Sequence, residues 1–155
     1  MKILCVSDTH RDLSNFNKVL ELEEDFDLLL HAGDNIDDID SIQDSAFNAV
    51  IVKGNGDRQK EGNWDEVINI SDKKILLTHG HRYGVKYGLN KLAYKAMELE
   101  VDIVVFGHTH RSFKLEEDGI LFLNPGSLNY PRDGSFSYGV IKIKEGKVRA
   151  EIKDI

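Results

Sequence analysis

The chemistry-bearing residues of this chain fall in five short polar stretches, each directly after an apolar run. SDTH carries Asp8 and His10, HAGD carries His31 and Asp34, KGNGD carries Asn55 and Asp57, THGH carries His79 and His81, and GHTH carries His108 and His110. Carboxylates brought together without compensation repel one another, and partly buried ones are costly. A divalent cation removes both penalties. Imidazole combined with carboxylate oxygen suits Mn²⁺, Fe²⁺, Co²⁺, Ni²⁺ or Zn²⁺. No cysteine lies among these residues, which argues against a thiolate site. The stretches offer too many ligands for one ion and about the right number for two that share a bridge. His31 precedes the core of its stretch and reads as a structural or supporting residue. Glycines 33, 54, 80 and 107 permit tight turns and close backbone approach beside the candidate ligands.

These residues need elements to position them. KILCVS reads as a buried strand. SNFNKVLELEED has Phe16, Val19, Leu20 and, less regularly, Leu22 at helical spacing, with Ser14 as the expected N-cap. DLLLH is a second strand, DIDSIQDSAF a short helix and NAVIVK a third strand. This βαβαβ order implies a parallel sheet with helical crossovers. WDEVINI and KKILLT read as strands joined by Ser-Asp. KYGLNKLAYKAMELE reads as a helix with Leu89, Leu92, Ala93, Ala96 and Leu99 on one side, and DIVVFG as another buried strand. Beyond residue 112 two hairpins are expected, turning at Asp-Gly and Glu-Gly. The expectation is one α/β domain spanning residues 1–155, with two sheets packed face to face. Five strands then deliver Asp, His and Asn to one edge, beyond the carboxyl ends where ligands of α/β sheets sit.

Bulk properties narrow the function. The chain has 155 residues, 41% hydrophobic and 30% charged, which fits one globular domain. Its formal net charge of −7 and its lack of a Lys/Arg cluster weigh against a general nucleic-acid binder. The single cysteine, Cys5, lies in an apolar run and reads as a core residue. The opening apolar run is too short for a signal-peptide core or a membrane span. The expected setting is cytoplasmic, with no membrane partner.

In order and spacing, these motifs resemble the calcineurin-like metallophosphoesterase superfamily. Its pattern of D-x-H, G-D, G-N-x-D, G-H and G-H-x-H is matched by Asp8-Thr9-His10, Gly33-Asp34, Gly54-Asn55-Gly56-Asp57, Gly80 flanked by His79 and His81, and Gly107-His108-Thr109-His110. The short length, HAGD and NPGSLNYPR are similar to the small YfcE-type phosphodiesterase branch, which also includes a subunit of the eukaryotic retromer coat. The resemblance implies an α/β fold, a four-layer α/β/β/α sandwich of two mixed sheets flanked by helices. It implies two divalent ions per chain, with Mn²⁺ the first expectation and Ni²⁺, Co²⁺, Fe²⁺ or Zn²⁺ the alternatives. Asp8, His10, Asp34 and His110 would hold the first ion. Asp34, Asn55, His79 and His108 would hold the second, so Asp34 bridges. Thr109 would let two strand-like neighbours, His108 and His110, diverge toward the two ions. The catalytic core would be Asp34, Asn55 and His79. His81 is either a ligand or a supporting residue. Asp57, Arg11 and Arg132 are candidates for supporting or substrate contacts, and Asn124 is either an orienting residue or a plain turn.

The implied reaction is hydrolysis of a small phosphodiester by a hydroxide bridging the two ions. Many members of the superfamily have histidine third in G-N-x-D, where this chain has Gly56. A general-acid contribution of about 10²–10⁴-fold is then missing or supplied by another group. The alternatives are a non-catalytic interaction scaffold, as the retromer relatives suggest, and a nuclease. A complete ligand set including Asn55 weighs against the scaffold, and the acidic balance weighs against the nuclease. The sequence is compatible with a homo-oligomer and does not decide it.

Overall fold

The computed structural model describes residues 1–34 and 47–155. Among the described residues, ten strands form two five-stranded mixed sheets, ordered β10-β9-β1-β2-β3 and β4-β5-β6-β8-β7. In the first sheet β1 (Lys2–Val6), β2 (Leu28–His31) and β3 (Ala49–Ile51) run parallel, and β9 (Ser137–Lys144) and β10 (Lys147–Asp154) add an antiparallel hairpin. In the second, β5 (Lys73–Thr78), β6 (Ile103–Phe106) and β8 (Ile120–Pro125) run parallel. They are flanked by antiparallel β4 (Asp65–Ile70) and β7 (Ser112–Glu117).

The layers follow from which side chains are apolar. β1 and β2 are apolar on both faces, so both must be covered. Ile3, Cys5, Leu28 and Leu30 face Ile75, Leu77, Ile103, Val105 and Leu123 of the other sheet, which makes the central core. Leu4, Val6 and Leu29 point outward and are covered by Phe16 and Val19 of α1 (Ser14–Leu22). Leu76, Val104 and Phe122 are covered on the opposite outer face by Leu92 and Ala96 of α2 (Asn90–Glu98). The result is the four-layer α/β/β/α sandwich that the motifs imply.

Three local expectations shift. Ser14 is the first residue of α1 rather than its cap. Its backbone N–H donates to the Asp12 carboxylate at 2.9 Å, so the acceptor lies two residues earlier. Leu22 is exposed, and the next residue, Glu23, is buried instead. The helix expected from Lys86 begins only at Asn90, because the segment before it is a run of turns through the positive-φ glycines Gly84 and Gly88. The short helix read at 38–47 lies almost wholly outside the described residues.

Glu23 closes α1 against the first sheet. Its carboxylate takes hydrogen bonds from Tyr138 Oη at 3.0 Å and Lys153 Nζ at 2.5 Å, and Lys2 Nζ lies 2.7 Å away. Burial pushes this carboxyl up, but the hydrogen bonds from Lys153, Lys2 and Tyr138 outweigh it and bring its pKa down to about 2. Among the described residues, no helix is long and apolar enough to cross a membrane.

Candidate metal centre

The strand ends bring the expected residues to one edge of the sandwich. Asp8 and His10 follow β1, His31 ends β2 and Asp34 lies just beyond it. His79 follows β5, and His108 and His110 follow β6. The backbone that delivers them is unusual. Asp8, His10, Arg11, Asp34, His108 and His110 all have φ between 46° and 70°, a region that non-glycine residues rarely occupy. Such residues cluster at functional sites when the surrounding structure holds them there. His108 and His110 are therefore not strand-like neighbours diverging about Thr109. The chain leaves β6 at Phe106, and each histidine is aimed by a left-handed turn.

Two glycines make the approach of these loops feasible. A Cβ on Gly54 would stand 2.0 Å from Asp34 Oδ1, and one on Gly107 would stand 2.0 Å from Ser7 Oγ and 3.0 Å from Asp8 Oδ2. Gly56 donates its N–H to Asp34 Oδ1 at 2.8 Å. The Asp57 carboxylate accepts the Gly54 N–H at 2.9 Å and closes the 3-10 turn at Asn55–Asp57. Asp57 thus acts on the loop, while Asn55 is exposed at its start.

Asp8, His10, Asp34 and His110 form a tight cluster in which one ligand atom from each lies within 4.8 Å of all the others. Asp8 Oδ2 accepts from Ser7 Oγ at 2.7 Å and from the His108 N–H at 3.1 Å. Asp8 Oδ1 is buried with no hydrogen bond, although His110 Nε2 lies 3.1 Å away and His10 Nε2 3.9 Å away. The tautomers explain this. His110 Nδ1 donates to the Tyr130 carbonyl at 2.7 Å, and His79 Nδ1 donates to the Ala32 carbonyl at 2.7 Å. In the neutral ring each Nε2 is then a lone pair. His110 Nε2 faces Asp8 Oδ1 and also lies 3.2 Å from His10 Nε2. His79 Nε2 is buried without a hydrogen bond, 3.5 Å from Asp34 Oδ2.

Lone pairs facing carboxylates repel unless a cation lies between them. Backbone carbonyls that fix Nδ1–H and turn Nε2 inward are the usual outer support of metal-ligating histidines. The donor set therefore fits a divalent ion. Without one, a proton serves. Contact with Asp8 pulls the His110 pKa up, against burial. Burial alone would lower that of His79, but Asp34 and Asp8 raise it. Burial would likewise raise both carboxyls. His110 and His79 hold Asp8 below the usual range, and His79, with the Gly56 N–H, holds Asp34 well below it.

The remaining candidates separate in role. His108 is half-buried, its ring 5.0 Å from that of His79, and burial with the charges of His79 and Lys86 brings its pKa down to about 4. His81 packs edge-on to Trp64 at 5.3 Å and beside His79 at 5.4 Å, with its Nδ1 buried and lacking a hydrogen bond. Burial, then the charge of His79, lowers its pKa. Arg11 and Arg132 line a cleft of about 680 Å³ with His10, Gly56 and His110. His31 is fully buried: its Nδ1 accepts the Gly33 N–H at 3.1 Å and its Nε2 pairs with Thr9 Oγ1 at 3.1 Å, a structural tie between two ligand loops.

Several supports were missed from sequence. Ser127 Oγ donates to the Asp8 carbonyl at 3.0 Å and accepts the Tyr130 N–H at 2.9 Å. Asn129 Nδ2 donates to the Thr9 and Asp12 carbonyls. Asn124 fills both roles left open for it. Its Oδ1 accepts the Gly126 N–H at 3.0 Å, and its Nδ2 reaches the Gly107 carbonyl at 2.9 Å and Thr109 Oγ1 at 3.1 Å. The signal was the density of Asn and Ser in NPGSLNY, a segment that wraps Asp8, His10 and His110.

A two-sheet α/β sandwich whose strand ends converge on inward-turned imidazoles and buried aspartates defines a class of α/β protein with a candidate metal centre. Residues 1–146 match the calcineurin-like phosphoesterase superfamily domain, and the chain belongs to that superfamily. It is 30% identical to a phosphodiesterase of Methanocaldococcus jannaschii, covering 96% of this chain and 97% of the relative. A predicted phosphoesterase of Streptococcus pneumoniae TIGR4 has the same fold, with TM-score 0.83 and 29% identity over 99% of this chain and 88% of that one. Vps29 of Entamoeba histolytica, solved in complex with zinc, matches with TM-score 0.78 and 27% identity over 99% of both chains.

Proposed function

We propose that this chain, as one domain over residues 1–155, is a phosphodiesterase that works with two divalent metal ions, Mn²⁺ first among them. The observation that carries this reading is the cluster of Asp8, His10, Asp34 and His110, with histidine lone pairs turned onto buried carboxylates. Asp8, His10, Asp34 and His110 would hold the first ion, and Asp34, Asn55, His79 and His108 the second. When bound, such a pair activates water for attack on phosphorus and neutralises charge on the phosphoryl oxygens.

The protein's own groups do the rest. The Gly56 N–H fixes the Asp34 carboxylate, which would bridge the two ions. Tyr130 and Ala32 fix the tautomers of His110 and His79 through their carbonyls. Arg11 and Arg132 meet the substrate anion at the cleft. With both ions bound, the site would carry net positive charge beside its two aspartates and would attract a phosphoester despite the net charge of −7. The net charge of −7 favours a small diester over a polymer.

The test combines metal analysis with a screen of phosphodiesters under several divalent ions. Close to two ions per chain and Mn²⁺-dependent hydrolysis are expected. Binding well below one ion at saturation would remove the dinuclear site. Metal binding without hydrolysis of any ester would favour the scaffold reading raised by the likeness to Vps29.

A further inference from the structure

Beside the histidine edge lies a second cavity, of about 550 Å³, whose composition the metal chemistry does not explain. Buried Val85 and Phe106 form its floor, with Leu89 and the partly exposed Phe113 at its sides. The Phe106 and Phe113 rings meet edge to face at 6.4 Å. Lys86, Arg111 and Arg132 stand around this apolar floor. All three are exposed, and none forms an ion pair among the described residues. Three unpaired cations around an apolar hollow, in a chain of net charge −7, are complementary to a ligand that is both apolar and anionic.

The cavity adjoins the proposed reaction centre. Arg132 lines both it and the cleft over His10 and His110. Thr109, also on the cavity wall, stands between His108 and His110. The two hollows therefore share a wall made of the ligand loop itself. Asn124 braces that wall through Thr109 Oγ1, and the Arg132 N–H donates to the His110 carbonyl at 2.7 Å. A molecule with its phosphorus at the histidines and its remainder past Arg132 would lie along a preformed path.

We infer that this cavity is the subsite for the alcohol portion of the ester, and that this portion is a flat apolar group carrying a second anionic group. The inference rests on the histidine edge being the place where the phosphoester is cut. Val85, Leu89, Phe106 and Phe113 take the flat group. Lys86 and Arg111 take the second anion, and Arg132 faces the charge between the two hollows.

Calorimetric titration of the Mn²⁺-loaded protein tests this, with thymidine 3′,5′-bisphosphate and methyl phosphate as probes. The bisphosphate carries a flat base and a second anion, and methyl phosphate carries neither. Wild type should bind the bisphosphate at least about tenfold more tightly, a difference of about 1.4 kcal/mol. Phe113→Ala and the pair Lys86→Gln with Arg111→Gln should each shrink that ratio several-fold. These side chains are exposed or partly exposed, so thermal melting should confirm intact folds. Equal affinity for the two probes in wild type, or a ratio untouched by the substitutions, overturns the subsite. The 4-nitrophenyl ester of thymidine 5′-phosphate, with and without a 3′-phosphate, then reads hydrolysis separately. Preference for the bisphosphate with no hydrolysis of either ester keeps the subsite and overturns the phosphodiesterase reading instead.

Discussion

Glu23 and the pair Asp8 and Asp34 meet the same problem with opposite solutions. Each is a buried carboxylate whose pKa is held low against the cost of burial. Around Glu23 the protein supplies its own cations, Lys2 and Lys153, together with the Tyr138 hydroxyl. Around Asp8 and Asp34, no Lys or Arg side chain forms an ion pair with them among the described residues, and the ionisable groups that face them are histidine rings with Nε2 turned inward. A lysine completes a carboxylate permanently. A ring of lone pairs completes it only when a cation arrives from outside. The difference separates a carboxylate that holds a fold together from one kept for a metal ion, and it can be read without any ion in place.

The largest effect that sharpens this contrast should come from Asp34→Ala. If Asp34 touches both ions, its loss should cost about 10²–10³-fold in turnover, comparable with removing a major transition-state stabiliser. It should also reduce metal stoichiometry by calorimetry. Near-wild-type turnover of this variant at limiting metal would show that Asp34 does not bridge.

Metal should act on one carboxylate cluster and not the other. At a Mn²⁺ concentration about 100-fold above the dissociation constant, linkage predicts about 2.7 kcal/mol of added stability. Melting temperature should therefore rise with Mn²⁺ in wild type and in Glu23→Gln, and much less in Asp34→Asn. An equal rise in all three would place the ion elsewhere.

Removing Glu23 should have the reverse signature. The fall from an ordinary value of 4.5 to about 2 is worth at most about 3 kcal/mol. Lys2 and Lys153 are 26% and 36% exposed, so screening reduces this to about 1–2 kcal/mol. The folded pKa is depressed, so this stabilisation is complete above about pH 4.5 and is lost as pH falls toward 2. Glu23→Gln should be less stable at neutral pH with unchanged turnover, and the gap from wild type should close on acidification. A constant gap across that range would mean that Glu23 acts through packing alone.

The two clusters also differ in how far the sequence reveals them. Asp8, His10, Asp34, His79, His108 and His110 were legible because each follows an apolar run, and strand ends in a parallel sheet converge. Alternating apolar runs likewise exposed the strands and the packing faces of α1 and α2. Glu23 was illegible. It needs the end of α1 to lie against β1, β9 and β10, and those contacts span up to 130 residues of chain. The left-handed turns at His108 and His110 were also hidden, since histidine's enrichment at positive φ is too weak a local signal to place a turn. The supporting hydrogen bonds of Ser127 and Asn129 depend on the same long-range closure.

The smallest expected effect concerns Gly56, where many relatives of this superfamily carry histidine. If the chain hydrolyses diesters and no other group replaces that histidine, the departing oxygen would receive little help with protonation, and more negative charge would build on it in the transition state. Rates should then depend steeply on leaving-group pKa, and aryl diesters should outrun alkyl ones of similar size. The backbone leaves narrow room for a substitution. A Cβ on Gly56 would stand 3.3 Å from Asp34 Oδ1, so the carboxylate must yield by a few tenths of an ångström. Gly56 is exposed and its φ is not positive, so no backbone strain is added. Gly56→His should accordingly flatten the leaving-group dependence and raise turnover of poor leaving groups by about tenfold, the lower part of what a positioned acid supplies. The gain should stay modest because the same side chain presses on Asp34. A series of substituted phenyl diesters, with chemistry confirmed as the slow step, reads both slopes. A dependence already flat in wild type would mean that another acid serves the leaving group, with His81, its pKa lowered beside His79, the first residue to replace.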